Sequence, residues 1–192
     1  MRHLIILLAG GLLLACGSES GTTDPENNLL SDSTSGADIV EYELNEERLS
    51  AVDFNNDLTF IQQGALDQIN LLFQSDTANV RVNFDNALFD IGLKLVDLKQ
   101  KEIAAGGADF QGALVKLLSF YETELKEGFE PLLPVLEKSA AQRTGAEEEM
   151  IKEFDLNFAE KEAELFEAIV HAQEAFAKAN NIRMSDVEQA YL

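Results

Sequence analysis

Tryptophan is missing from this chain, and cysteine, histidine, proline and basic side chains are scarce: one Cys, two His, three Pro, and 14 Lys plus Arg against 35 Asp plus Glu. Each shortage closes off a class of chemistry. A lone cysteine, Cys16, can neither close a disulfide within the chain nor build a multi-thiolate metal site. With His3 near the start and His171 the one other histidine, the helical di-iron site, which needs Glu-x-x-His on two helices, lacks its ligands. A formal net charge of −21 repels nucleic-acid phosphates, and no basic patch exists for docking on anionic lipid. Gly-x-Ser-x-Gly does not occur, and Gly106-Gly107 lacks the Gly-Lys-Ser/Thr continuation of a phosphate loop. Carboxylates are so abundant that none stand out as a glycosidase pair. The apolar run from Leu4 to Ala15 falls short of the roughly 20 residues that span a bilayer as a helix. Aromatic content rests on 12 Phe and three Tyr, which suits a packed helical core better than an aromatic binding cage. We therefore expect no enzyme, no cofactor and no nucleic-acid partner.

The N-terminus carries the most specific signal that is present. Arg2 precedes the apolar run, and Leu13-Leu14-Ala15-Cys16 resembles the bacterial lipobox, in which cleavage precedes a cysteine that takes lipid on its sulfur. The resemblance implies a lipoprotein signal peptide over 1–15, lipidation at Cys16, and a membrane partner reached through acyl chains. A single acyl chain binds marginally, at ~0.8 kcal/mol per buried methylene, whereas a diacylglycerol plus an amide-linked chain anchors stably. Gly17 stands where Asp would favour inner-membrane retention, so the outer membrane is the expected address. Glu19 is not part of an acidic export run, which leaves periplasmic face and cell surface both open. Removal of 1–15 takes away Arg2 and no acid, so the formal charge of the remaining chain becomes −22.

Residues 17–40 are rich in Gly, Ser, Thr, Asn and Asp and read as a tether with an end-to-end distance of ~25–30 Å. A domain over 41–192 is expected beyond it. Four apolar stripes at steps of three and four mark its helices. They are Leu58-Ile61-Ala65-Ile69-Leu72, Phe84-Leu88-Ile91-Leu95-Leu98, the run from Phe110 to Leu136, and Ile151-Phe154-Phe158-Leu165-Ile169-Ala172-Phe176. The fourth is interrupted by Glu160-Lys161-Glu162. Expected caps are Asp76-Thr77 and Asp109 at helix starts, Gly106-Gly107 and Asn180-Asn181 at helix ends, and a capping box over Thr144–Glu147. Ser185–Glu188 can start a short last helix. Gly128, Pro131 and Pro134 predict a kink in the third helix. The expected fold is all-α, an antiparallel up-down-up-down four-helix bundle. Gln-Gly-Ala-Leu recurs at 63–66 and 111–114, a hint of a duplicated hairpin.

Few residues suggest a site. His171 begins His-Ala-Gln-Glu, which places Glu174 at i+3 and Glu167 one turn earlier. This resembles part of the motif of imelysin-like envelope proteins, whose glycine two residues before the histidine is Ile169 here. That resemblance implies metal or ligand binding at His171, Glu174 and Glu167; without it, His171 is a histidine beside the stripe. Asp53–Asp57 matches the start of a calcium loop, but Leu58 replaces the turn glycine and Gly64 the bidentate glutamate. Glu147–Glu149 and the Asp32/Asp38 pair are carboxylate groups best read as solvated.

The block Asp109-Phe110-x-x-Ala113-Leu114, Leu118–Tyr121, Glu160–Glu162 and Phe176–Asn180 together resemble a family of small helical bacterial surface lipoproteins of leptospiral and Bacteroidetes type. That family implies surface location and a helical fold, and no catalytic residues. The expected function is a lipid-anchored, non-enzymatic envelope protein with an acidic helical domain that contacts an envelope partner. The alternatives are an imelysin-like metal or ligand binder centred on His171 and a periplasmic holdase using an apolar seam.

Overall fold

The four apolar stripes fold as four long helices in the computed structural model, which describes residues 46–182. Cys16, the tether, Asp32, Asp38 and the segment at Ser185–Glu188 lie outside the described residues. The helices are α1 (Glu46–Phe73), α2 (Val80–Gln100), α3 (Ala108–Glu124) and α5 (Gly145–Ala179), and the segment between the last two includes a short α-helical turn, α4 (Leu133–Leu136). The described residues contain no strand. Each stripe faces inward: Leu58, Ala65, Leu72, Ile91, Leu98, Leu114, Leu117 and Ile169 are buried with Phe110, Tyr121, Phe158 and Phe176. α1 packs on α2, α2 on α3, and α3 on α5. α5 is also tied to α1 through Phe54 and Phe176, whose rings lie 5.4 Å apart.

Phenylalanine fills the joint between α1, α3 and α5. Phe158 meets Phe73 edge-on at 5.0 Å, Phe120 at 5.1 Å and Phe154 at 5.7 Å, and stacks on Tyr121. Full burial of one such ring stabilises by about 1.5–3 kcal/mol, so this cluster replaces what tryptophan or a disulfide does elsewhere.

Helix ends follow identifiable chemistry, in three places differently from the sequence expectation. α2 ends at Gln100, well before Gly106-Gly107. The cause is Gln111, whose buried amide donates to the carbonyls of Leu98 and Lys101 and so caps α2 from α3. Gly106, at φ +75°, then turns the chain, and a Cβ on Gly107 would sit 2.5 Å from the Phe54 ring. Gly107, not Asp109, is the N-cap of α3. Asp76 likewise stands ahead of α2 and is not its N-cap: its carboxylate accepts from the amides of Ala78 and Asn79 and shapes the turn before Val80. The expected box at Thr144 forms, with Glu147 N donating to Thr144 Oγ1 at 3.3 Å and Thr144 N to Glu147 Oε2 at 2.8 Å. Asn181 adopts φ +52°, while Ile182 N reaches Ala177 O and Asn181 N reaches Lys178 O, a Schellman ending on α5.

The third stripe changes helix type along its length. After Glu124 come a π-helical turn (Leu125–Phe129), a 3-10 turn (Glu130–Leu132) and α4. Pro131 has no amide to offer Glu127 O, and Pro134 none for Glu130 O. Glu130 N reaches back to Leu125 O and Leu133 N takes Glu130 O instead. A Cβ on Gly128 would lie 2.6 Å from Phe154 Cε2, so glycine lets α5 approach here.

Candidate functional site

The calcium-like segment Asp53–Asp57 lies within α1, where helical geometry splays its side chains around the axis. Phe54 and Asn55 turn inward and are buried, while Asp53 and Asp57 stay exposed. Asp57 pairs with Lys101 at 2.7 Å. Together with Asp53, Phe54 and Ile103 these residues line a shallow cleft between α1 and the loop that follows α2. Lys101 offsets one of the three lining carboxylates, Asp53, Asp57 and Glu102, so the cleft is acidic on balance.

His171 lies on the outward side of α5, with its side chain 71% exposed and its Nε2 3.7 Å from Glu167 Oε1. Glu174, also exposed, makes no hydrogen bond or ion pair with His171. Helical spacing thus aligns the three candidates along one surface without converging them. Among the described residues, no group of three or more His, Cys, Asp and Glu side chains could hold a metal ion. Glu147 and Glu148 are committed locally. Lys138 donates to Glu147, which with the Thr144 amide holds that carboxyl below its usual range, and Arg143 pairs with Glu148 at 3.3 Å.

No family model matches this chain, and neither a curated protein nor a solved structure is significantly similar to it.

Two polar groupings that the sequence reading passed over are built into the interior. Tyr121 is fully buried and donates its hydroxyl to Glu162 Oε1 at 2.6 Å. Burial raises the Glu162 carboxyl above its ordinary range, opposed by the tyrosine hydrogen bond. The phenol is also raised, by burial first and then by the neighbouring carboxylate. Both groups belong to the packing of α3 on α5, where Tyr121 stacks on Phe158 and Glu162 is partly buried. The second grouping joins α1 to α5: Gln173 Nε2 donates to Asn55 Oδ1 at 3.0 Å and to Thr59 Oγ1 at 3.3 Å. The sequence did carry a signal for both. Glu162 stands four residues after Phe158 and three before Leu165, and Asn55 four after Ala51 and three before Leu58, so each sits in stripe register.

Charge is distributed unevenly. α5 carries ten acidic residues against three basic ones, and Glu149, Glu153, Glu160, Glu164, Glu167 and Glu174 are exposed along it. α2 carries three of each sign. Chemically, α5 presents a long anionic face suited to cationic groups, while α2 presents a neutral one.

Proposed function

We propose that this chain is a lipid-anchored cell-envelope protein, held in the membrane by acyl chains on Cys16, whose non-enzymatic acidic helical domain contacts another envelope macromolecule. The carrying observation is the exposed acidic face of α5. Ten acids on one helix attract a cationic partner, or a second anionic surface bridged by divalent ions, and repel free anionic ligands. Such association weakens as salt screens it, over ~10 Å at 0.1 M.

The finer architecture belongs to the same proposal: an antiparallel up-down-up-down bundle with a kinked third helix. Its support is the short connections at 74–79 and 101–107 between helices that pack on each other, and the two prolines in the third stripe. The likeness to small helical surface lipoproteins and the outer-membrane address are also part of it. No described helix is long and apolar enough to cross a membrane, which is compatible with attachment through lipid.

Replacing the anchor residue tests the reading. The Cys16→Ser chain is expected in the soluble fraction, folded and without lipid, while the parent chain sediments with membranes. Retention of the Cys16→Ser chain on membranes overturns the proposal.

A further inference from the structure

The outward side of α2 carries a seam that nothing within the described residues covers. Among the large apolar side chains that remain exposed, Val82, Phe89, Leu93 and Val96 all lie on this one helix, at 58%, 69%, 55% and 54% exposure. Their steps of seven, four and three, with Asn86 and Gln100 completing the pattern, make the heptad series Val82-Asn86-Phe89-Leu93-Val96-Gln100. The opposite face, Phe84, Ile91 and Leu98, is buried in the core, so the seam points straight away from the protein's own interior. Scattered surface hydrophobics need no explanation, but a seam in register on one face does. The flank of α1 beside it adds to the patch. A Cβ on Gly64 would touch Lys94, which places that flank of α1 against α2, and Phe60 and Leu71 lie four residues before and seven after Gly64.

We infer that this seam binds the same seam on a second copy of the chain, with the two α2 helices antiparallel. Charge decides both the occupant and the direction. A chain of net charge −21 repels its own copies almost everywhere, yet α2 is neutral, with Arg81, Lys94 and Lys99 balancing Asp85, Asp90 and Asp97. Among the described long helices it is the one on which two copies approach without that penalty. In an antiparallel pair centred between Phe89 and Leu93, each Phe89 packs on the partner's Leu93, and Asn86 lies level with the partner's Val96. Asp85 then faces the partner's Lys99 at both ends of the seam. Asp90 comes near the partner's Asp90 at the centre, but each is already neutralised by Lys94 at 2.7 Å. A parallel pair instead places Asp85 beside the partner's Asp90 twice, two like-charge contacts with no opposite-charge contact to offset them. This interface stands whether or not Cys16 carries lipid.

Cross-linking and sedimentation of the purified full chain in detergent test the inference, with the parent chain, whose one cysteine is Cys16, as control. A Cβ on Gly92 meets nothing within 4 Å, so Gly92→Cys is accommodated, and it lies beside the partner's Gly92 across the two-fold axis. Gly92→Cys is expected to give a covalent dimer with a short bis-maleimide. Val96→Cys is not, because the antiparallel register offsets its copies by ~15 Å along the helix. Asp85→Lys or Lys99→Asp alone is expected to weaken association roughly ten-fold, and the double variant to restore it. Phe89→Asp should abolish the dimer at unchanged helix content. A parent chain that sediments as a monomer overturns the inference, as does linking through Val96→Cys in preference to Gly92→Cys, or failure of the double charge swap to restore association.

Discussion

The two copies of Gln-Gly-Ala-Leu offer a controlled perturbation, because the same residue in the same tetrapeptide performs different work in each. Gln111 is buried and its amide donates to Leu98 O and, at 3.3 Å, to Lys101 O, the carbonyls that α2 leaves without helical donors. Gln63 is exposed and donates to Asp67 one turn along the same helix, at 2.8 Å. In Gln111→Ala, Leu98 O loses its donor inside the protein, which costs about 1–3 kcal/mol for one buried acceptor. Lys101 is only partly buried, so water takes over its carbonyl and adds little. The expected loss is about 2 kcal/mol, or roughly 4–8 °C in melting temperature at 2–4 °C per kcal/mol for a domain of this size. Gln63→Ala removes a surface i,i+4 pair worth ~0.2–0.5 kcal/mol, a shift of about 1 °C. Gln111→Glu should be worse than alanine at neutral pH, since a carboxylate then faces two carbonyl oxygens, and should recover on acidification once it can donate a proton. Thermal unfolding followed by far-ultraviolet circular dichroism reads all three. Equal shifts for Gln111→Ala and Gln63→Ala would refute the capping role.

Two further perturbations separate packing from titration. Gly128→Ala drives a methyl group to within 2.6 Å of Phe154 and 2.9 Å of Glu124, and is expected to destabilise by ~1–3 kcal/mol. Gly112→Ala meets nothing within 4 Å inside α3 and should stabilise by ~0.5–1 kcal/mol, so denaturant midpoints moving the same way in both variants would contradict the structure. For Glu162, burial raises the folded carboxyl above its unfolded value, so the folded state holds the proton more tightly. Stability then rises as pH falls through the raised value toward the ordinary glutamate range near ~4.3, and declines again as pH increases. Glu162→Gln keeps an acceptor for Tyr121 without this titration, so it should gain on the parent chain at neutral pH, and the gap should close on acidification. A gap independent of pH, or one that widens toward low pH, argues against a buried ionising Glu162.

The helices and their inward faces were legible because each stripe repeats the same physics many times: Leu58, Ile61, Ala65, Ile69 and Leu72 all enter the core. The Thr144 box and the Asn180-Asn181 ending were legible because their partners lie within five residues. What escaped was polar and long-range. Gln111 caps a helix from 13 residues away, Tyr121 and Glu162 are 41 apart, and Gln173 and Asn55 are 118 apart. In each case stripe register announced that a polar side chain would be buried, while its partner stayed hidden in the packing. The end of α2 was misplaced for that reason, since glycines at 106–107 are a local stop signal and Gln111 is a tertiary one.

The candidate surfaces divide along the same line. His171, Glu167 and Glu174 share a helical face by sequence spacing, yet spacing on one helix lays side chains out in a row, and a metal needs donors converging from several elements. A row of like charges is instead suited to a long partner met along its length, which is what the exposed acids of α5 present. On α2 the same logic runs in the opposite sense. Its charges cancel and its apolar residues keep a second heptad register, opposite to the one that packs the core. A helix with two registers has two partners to satisfy, and the described residues supply only one of them.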